Sequence, residues 1–149
     1  MSYEQLTKGR YSAPGHEYHL TVCTDKRRAH FANTQVANTF CQTLQSLVAQ
    51  KRITPLCWVL MPDHFHMLLR LSEAQELAKA MNQLKGLTAR NCNHDMAREG
   101  RLWQRGYFDH ALRSEEDRLA IARYIVANPL RAGLVKRVGD YPYWDCVWL

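Results

Sequence analysis

The stretch WVLMPDHFHMLLRL, residues 58–71, decides how this chain folds. Pro62-Asp63 interrupts it as a turn, and the flanking residues are apolar and β-prone, so two strands in a tight hairpin are predicted. Alternate side chains of a strand leave on opposite faces. After the turn, His64, His66, Leu68 and Arg70 therefore share one face and Phe65, Met67, Leu69 and Leu71 the other. The second face needs a core beneath it, while the face with two imidazoles can stay open to solvent or a ligand. Before the turn, residues 54–61 are apolar on both sides, with Leu56, Trp58 and Leu60 set against Cys57, Val59 and Met61, as in a central strand. Taken alone, the two histidines fit either a polar sheet face or two ligands of one metal ion.

Outward from the hairpin the periodicities continue. Residues 16–24 alternate, with Tyr18, Leu20 and Val22 on one face and Glu17, His19, Thr21 and Cys23 on the other, so a half-buried strand is predicted. A basic turn follows at Lys26-Arg27-Arg28. Asn33 is then placed to cap a helix reaching about Gln50, whose apolar positions are Val36, Phe40, Leu44, Leu47 and Val48. Ser72 with Gln75 fits a capping box for a second helix, with Leu77, Ala80, Met81, Leu84 and Leu87 on one side. Residues 91–100 read as a polar connection and 107–113 as a fourth strand. Ser114 is placed to cap a last helix, with Glu115, Glu116 and Asp117 suited to its dipole and Leu119, Ala122, Ile125 and Val126 as its buried stripe. The order β-α-β-β-α-β plus a C-terminal helix defines an α+β, ferredoxin-like split βαβ sandwich. Its helices are expected on one sheet face, with His19, His64 and His66 on the open one.

Composition bounds the function. The 149 residues suit a single domain, 1–149, with an irregular segment at 1–14 and an aromatic tail at 136–149. A net charge of +6 favours a polyanionic partner, nucleic acid before a membrane surface. Five cysteines without a CxxC spacing argue against a disulfide framework or a structural zinc site and for a reducing cytosol. The first ten residues carry no apolar signal, and no apolar run is long enough to span a membrane.

The final helix holds Tyr124 and Asn128, one turn apart on one face. Pro129 disfavours helix at Asn128, so the helix must kink or end there and free the Asn128 amide oxygen. A metal held by two histidines needs further oxygen or nitrogen ligands, and a tyrosine phenol acts as a nucleophile only where its anion or its leaving group is stabilised. Taken alone the pair fits an amphipathic tyrosine and a helix-terminal asparagine; taken with His64 and His66, this helix would supply both groups.

The opening strand, MPDHFHMLL (residues 61–69), LWQRGYFDH (102–110) and YIVANPLRAGLV (124–135) together resemble the single-tyrosine HUH transposases, most closely the REP-associated tyrosine transposases of bacteria. The resemblance covers nearly the whole chain. It implies a ferredoxin-like fold acting on single-stranded and hairpin DNA, with His64, His66 and Asn128 as ligands of a divalent metal, Mg or Mn, and Tyr124 as the nucleophile that forms a 5′-phosphotyrosine. It further implies a cytoplasmic, nucleoid-associated protein that works as a monomer, with the shared-site dimer of the insertion-sequence relatives as the alternative. Arg27, Arg28, Lys85, Arg90, Arg101 and Arg105 are candidates for phosphate contacts, and Trp103 and Tyr107, with Phe108, for stacking on unpaired bases. The tail departs from the family's Trp-Ser-Ser pattern, since Asp145 and Cys146 follow Trp144. Two other readings use the same residues: a hairpin-binding regulator without catalysis, and a metal-dependent hydrolase with water as nucleophile.

Overall fold

In the computed structural model, which describes residues 16–72, 76–113 and 115–149, alternation and helical spacing resolve into β1 (Glu17–Cys23), α1 (Thr34–Ala49), β2 (Thr54–Met61), β3 (His64–Arg70), α2 (Leu77–Asp95), β4 (Phe108–Ala111), α3 (Glu115–Val126), α4 (Asn128–Arg131) and β5 (Trp144–Cys146). The strands form one antiparallel sheet in the order β4-β1-β3-β2-β5. The first four strands reproduce the expected split βαβ arrangement. The segment 1–14, Gln75, Ser114 and the side chains of Glu115 and Glu116 lie outside the described residues. Ser72 is not the cap of α2, which begins at Leu77 with Glu76 in the N-cap position.

The alternation in β1 and β3 builds the main core. Tyr18, Leu20 and Val22 join Phe65, Met67 and Leu69 on one sheet face, against Phe40, Leu44 and Leu47 of α1 and Leu77, Met81 and Leu84 of α2. Asn33 caps α1 as predicted, its Oδ1 accepting from Val36 N at 3.2 Å. Simple alternation fails at one residue of β2. The pairing with β3 slips between Pro55 and Cys57, so Leu56 joins Cys57, Val59 and Met61 instead of Trp58 and Leu60.

The opposite face corrects the expectation that it lies open. α3 lays Ala122, Ile125 and Val126 over Leu56, Cys57, Val59 and Leu68, which covers the β2–β3 half of the sheet. Leu119 is not part of that stripe. It is 41% exposed and lines a shallow cleft with Trp148 and Leu149. α2 also runs through residues 91–95, which composition marked as a connection. Asn91 Nδ2 donates to Thr43 Oγ1 at 3.0 Å and the buried Cys92 thiol points to the Val36 carbonyl at 3.8 Å, so contact with α1 carries the helix onward. The aromatic tail belongs to the sheet: Leu60 N donates to the Tyr143 carbonyl at 2.9 Å and Tyr141 Oη to the Leu60 carbonyl at 2.5 Å.

All five cysteines are free, and burial pushes the Cys41 thiol up to about 11 and Cys92 to about 12, so these two stay protonated and pack as small apolar groups. Among the described residues no helix is long and apolar enough to cross a membrane.

One ion-pair cluster ties α3 to the sheet. Glu17, 7% exposed, accepts from Arg118 Nε at 2.7 Å and Nη2 at 2.5 Å, and from Arg70 Nη2 at 3.2 Å. Burial alone would raise the Glu17 carboxyl, but bonds from Arg118 and Arg70 outweigh it and hold it below the usual carboxylate range. Removing one partner of a buried pair costs more than the pair contributes, because a desolvated charge is left behind. Both arginines keep partial access to water, so Glu17→Ala is expected to cost about 2–3 kcal/mol in urea unfolding. A change below about 0.5 kcal/mol would show that the cluster does not anchor the helix.

Candidate active site

The site forms where the histidine face of β3 meets β1 and α3. Register pairs Cys23 with His64 and Thr21 with His66, and brings the two imidazoles to 5.0 Å between centroids, edge to face. His64 Nδ1 donates to Asp63 Oδ1 at 2.7 Å, while Arg27 Nε donates to Asp63 Oδ2 at 3.0 Å. The Asp63 carbonyl accepts from Thr24 N at 2.9 Å and Thr24 Oγ1 at 3.1 Å, so the turn that carries this carboxylate is itself held. Burial would raise the Asp63 carboxyl, but His64 and Arg27 hold it below the usual range. An ionised Asp63 keeps the His64 proton on Nδ1 and leaves Nε2 as the ligating nitrogen.

His66 is held in the same sense. Its Nδ1 lies 3.0 Å from Thr21 Oγ1 and 3.3 Å from His19 Nε2. The tautomer protonated on Nδ1 donates into this pair of acceptors and again leaves Nε2 free. Burial, reinforced by His64, His19 and Arg131, pulls His66 down to about 3, and burial with His110 pulls His19 down to about 4. Both imidazoles are therefore neutral, which for His66 is the form ligation requires.

Each of these two groups binds protons more weakly folded than unfolded, so the stability it contributes is complete above its ordinary value of 6.5. That contribution is lost as pH falls from 6.5 towards 4 and 3. The urea midpoint of the metal-free protein should fall across this window by the equivalent of roughly 2 kcal/mol or more. The drop should shrink in His19→Gln, and a midpoint flat between pH 6.5 and 4.5 would contradict the buried neutral pair.

α3 delivers Tyr124, 48% exposed, with its ring 5.7 Å from His66 and 6.2 Å from His19, edge to face in each case. The helix breaks at Ala127 as the Asn-Pro step requires, and the half-buried Asn128 opens α4 one turn on, with Pro129 next. Arg131 folds back over the Tyr124 ring.

The expected DNA contacts divide. Arg28, Arg90, Arg101 and Arg105 are exposed, whereas Arg27 is partly committed to Asp63. Lys85 spends its ammonium on the carbonyls of Gln104 and Gly106, at 2.9 Å each, and so braces the loop before β4. Trp103 and Tyr107 do not fit the stacking role. Trp103 is 3% exposed, its Nε1 donates to Thr88 Oγ1 at 3.0 Å, and its ring stacks on Phe31 at 5.3 Å; Tyr107 is buried too. The loop follows the end of β1 through Asp25 N to the Leu102 carbonyl and Gln104 N to the Cys23 carbonyl, at 2.8 Å each, and this turns the Trp103 ring into the core. Phe108, 46% exposed on β4, is the aromatic of this segment that stays at the surface. Sequence reasoning assigned no site role to Asp63, Thr21 or His19, although the alternation of β1 had already put His19 on the histidine face, and it read Arg131 only as part of a basic patch with Lys136 and Arg137.

A split βαβ sheet with paired histidines on a central strand and a tyrosine helix laid beside them is the arrangement the sequence resemblance implies. Residues 12–128 match the family described as Transposase IS200 like, and the chain belongs to that family. It is 27% identical to the REP-associated tyrosine transposase of Escherichia coli K12, over 90% of this chain and 78% of the relative. It is 31% identical to the ISDra2 transposase TnpA of Deinococcus radiodurans, over 81% of this chain and 89% of that protein. Among solved structures, a REP-associated tyrosine transposase bound to a REP hairpin superposes with a TM-score of 0.79 at 25% identity, over 97% of this chain and 82% of that one.

Proposed function

We propose that this transposase cleaves and rejoins single-stranded DNA beside a hairpin, through a 5′-phosphotyrosine formed on Tyr124. The observation that carries this reading is the placement of an exposed phenol 5.7 Å from a neutral, hydrogen-bonded His66 and on the same side of the sheet as His64. Hairpin DNA as the substrate rests on the similar REP-associated protein solved with a REP hairpin.

The donor set fits a divalent ion, Mg or Mn. His64 and His66 each have Nδ1 engaged and Nε2 left to ligate, and Asn128 would add its amide oxygen. Among the described residues no cluster of three or more His, Cys, Asp or Glu could hold a metal, so amide, water and phosphate oxygens must complete the shell. Imidazole suits Mn better than Mg. When bound, such an ion orients the scissile phosphate and offsets charge developing on its oxygens.

The chain's own groups do the rest. The Tyr124 oxygen attacks phosphorus in line, an O–P bond forms to the phenol, and the bond to the 3′-oxygen breaks. The phenolic proton passes to solvent and the departing 3′-oxygen takes one from water. The phosphotyrosine conserves the energy of the broken bond, so a free 3′-hydroxyl can reverse the step and join another strand without ATP. Tyr124 meets His66 within one chain, which supports action as a monomer.

The test is a denaturing gel of the protein with labelled hairpin oligonucleotides, with and without Mn or Mg. A labelled band at protein mass that requires metal supports the reading. Cleaved DNA without that band would mean that water is the nucleophile. A native-gel shift with no cut strand would mean a binding module.

A further inference from the structure

We propose that Arg131 is a positioning residue for Tyr124, an assignment that rests on the reading of Tyr124 as nucleophile. Tyr124 stands on an exposed helix face, and His66 and His19 touch its ring only edge on. In-line attack requires one ring orientation, and a misplacement of about 1 Å can cost on the order of 100-fold in rate. Arg131 restricts the ring by a separate contact, over its face. Its guanidinium lies 3.9 Å from the ring centroid, and Nη2 donates to the Tyr124 carbonyl at 2.6 Å. One side chain thus grips both the backbone and the π face of the same residue.

The sequence sets up this grip. Arg131 lies seven residues after Tyr124, across the break at Asn128-Pro129. The short helix α4 starts anew there, and its last residue, Arg131, folds back over the end of α3. The hold therefore couples the angle between α3 and α4, and with it the place of Asn128, to the orientation of the phenol. A planar guanidinium can stack and donate in the plane at once, which a lysine ammonium cannot.

The test uses Arg131→Gln and Arg131→Lys in the full chain. At saturating hairpin oligonucleotide with Mn, Arg131→Gln should form the covalent adduct about 10- to 100-fold more slowly, with Kd within about twofold of wild type. Arg131→Lys should recover only a small part of the rate. In the free protein, without DNA or metal, 3-fluorotyrosine placed at position 124 should move towards the fluorine shift of a solvated phenol in Arg131→Gln. An unchanged saturated rate would overturn the proposal. So would a loss confined to Kd with a shallower salt dependence, which would make Arg131 a phosphate contact. If the wild type forms no adduct, the nucleophile reading fails first and the assignment with it; the fluorine shift separates that case, since it reports the ring contact without turnover.

Discussion

Tyr124→Phe is expected to abolish covalent attachment to DNA, a loss of about 10⁵-fold or more, while hairpin binding stays within about twofold. The substitution removes one oxygen and keeps everything else. The ring can still meet His66 and His19 edge on and still lie under Arg131, so α3 has no reason to move. At 48% exposure the phenol is not a core group, and the expected change in stability is below about 0.5 kcal/mol. The labelled band on a denaturing gel is the measurement. Retention of that band would place the nucleophile elsewhere, and metal-dependent cleavage that persists without it would identify a hydrolase.

Loss of either imidazole proposed to hold the metal should be nearly as severe. His64→Ala and His66→Ala are each expected to lower adduct formation by about 10³-fold or more at saturating Mn, and to weaken Mn binding in a calorimetric titration. Hairpin affinity should be largely kept, because it comes from cations facing phosphates rather than from the histidines. The supporting shell allows a graded control. Asp63→Asn keeps shape but loses the charge that fixes the His64 proton on Nδ1, and should cost about 10- to 100-fold. If Asp63→Asn were as damaging as His64→Ala, Asp63 would itself be a ligand. If His66→Ala kept metal-dependent cleavage, the paired-imidazole site would be wrong.

These two outcomes rest on residues legible before any fold was known. His64 and His66 share a strand face because strand alternation is local, and Tyr124 and Asn128 lie a turn apart because helical spacing is local too. The resemblance to single-tyrosine transposases linked the two segments, which periodicity alone could not do.

The sequence by itself determined the order of the first four strands and their helices, the core face of β1 and β3, the cap at Asn33 and the break before Pro129, since each depends on neighbours within a few residues, whereas the pairing of β5 with β2 did not show in it. Only the tertiary structure decided what depends on distant segments. The slip at Leu56 follows from how β2 pairs with β3, and the run of α2 through residues 91–95 from contact with α1. Trp103 reads as a surface aromatic between cations, but pairing of its loop with the end of β1 turns it into the core. The packing of α3 on the β2–β3 half of the sheet sets Tyr124 beside His66, because Ala122, Ile125 and Val126 bury against Leu56, Cys57, Val59 and Leu68. Arg131 ends above Tyr124 for a related reason: the Asn-Pro step redirects the chain, and the new helix points the guanidinium back.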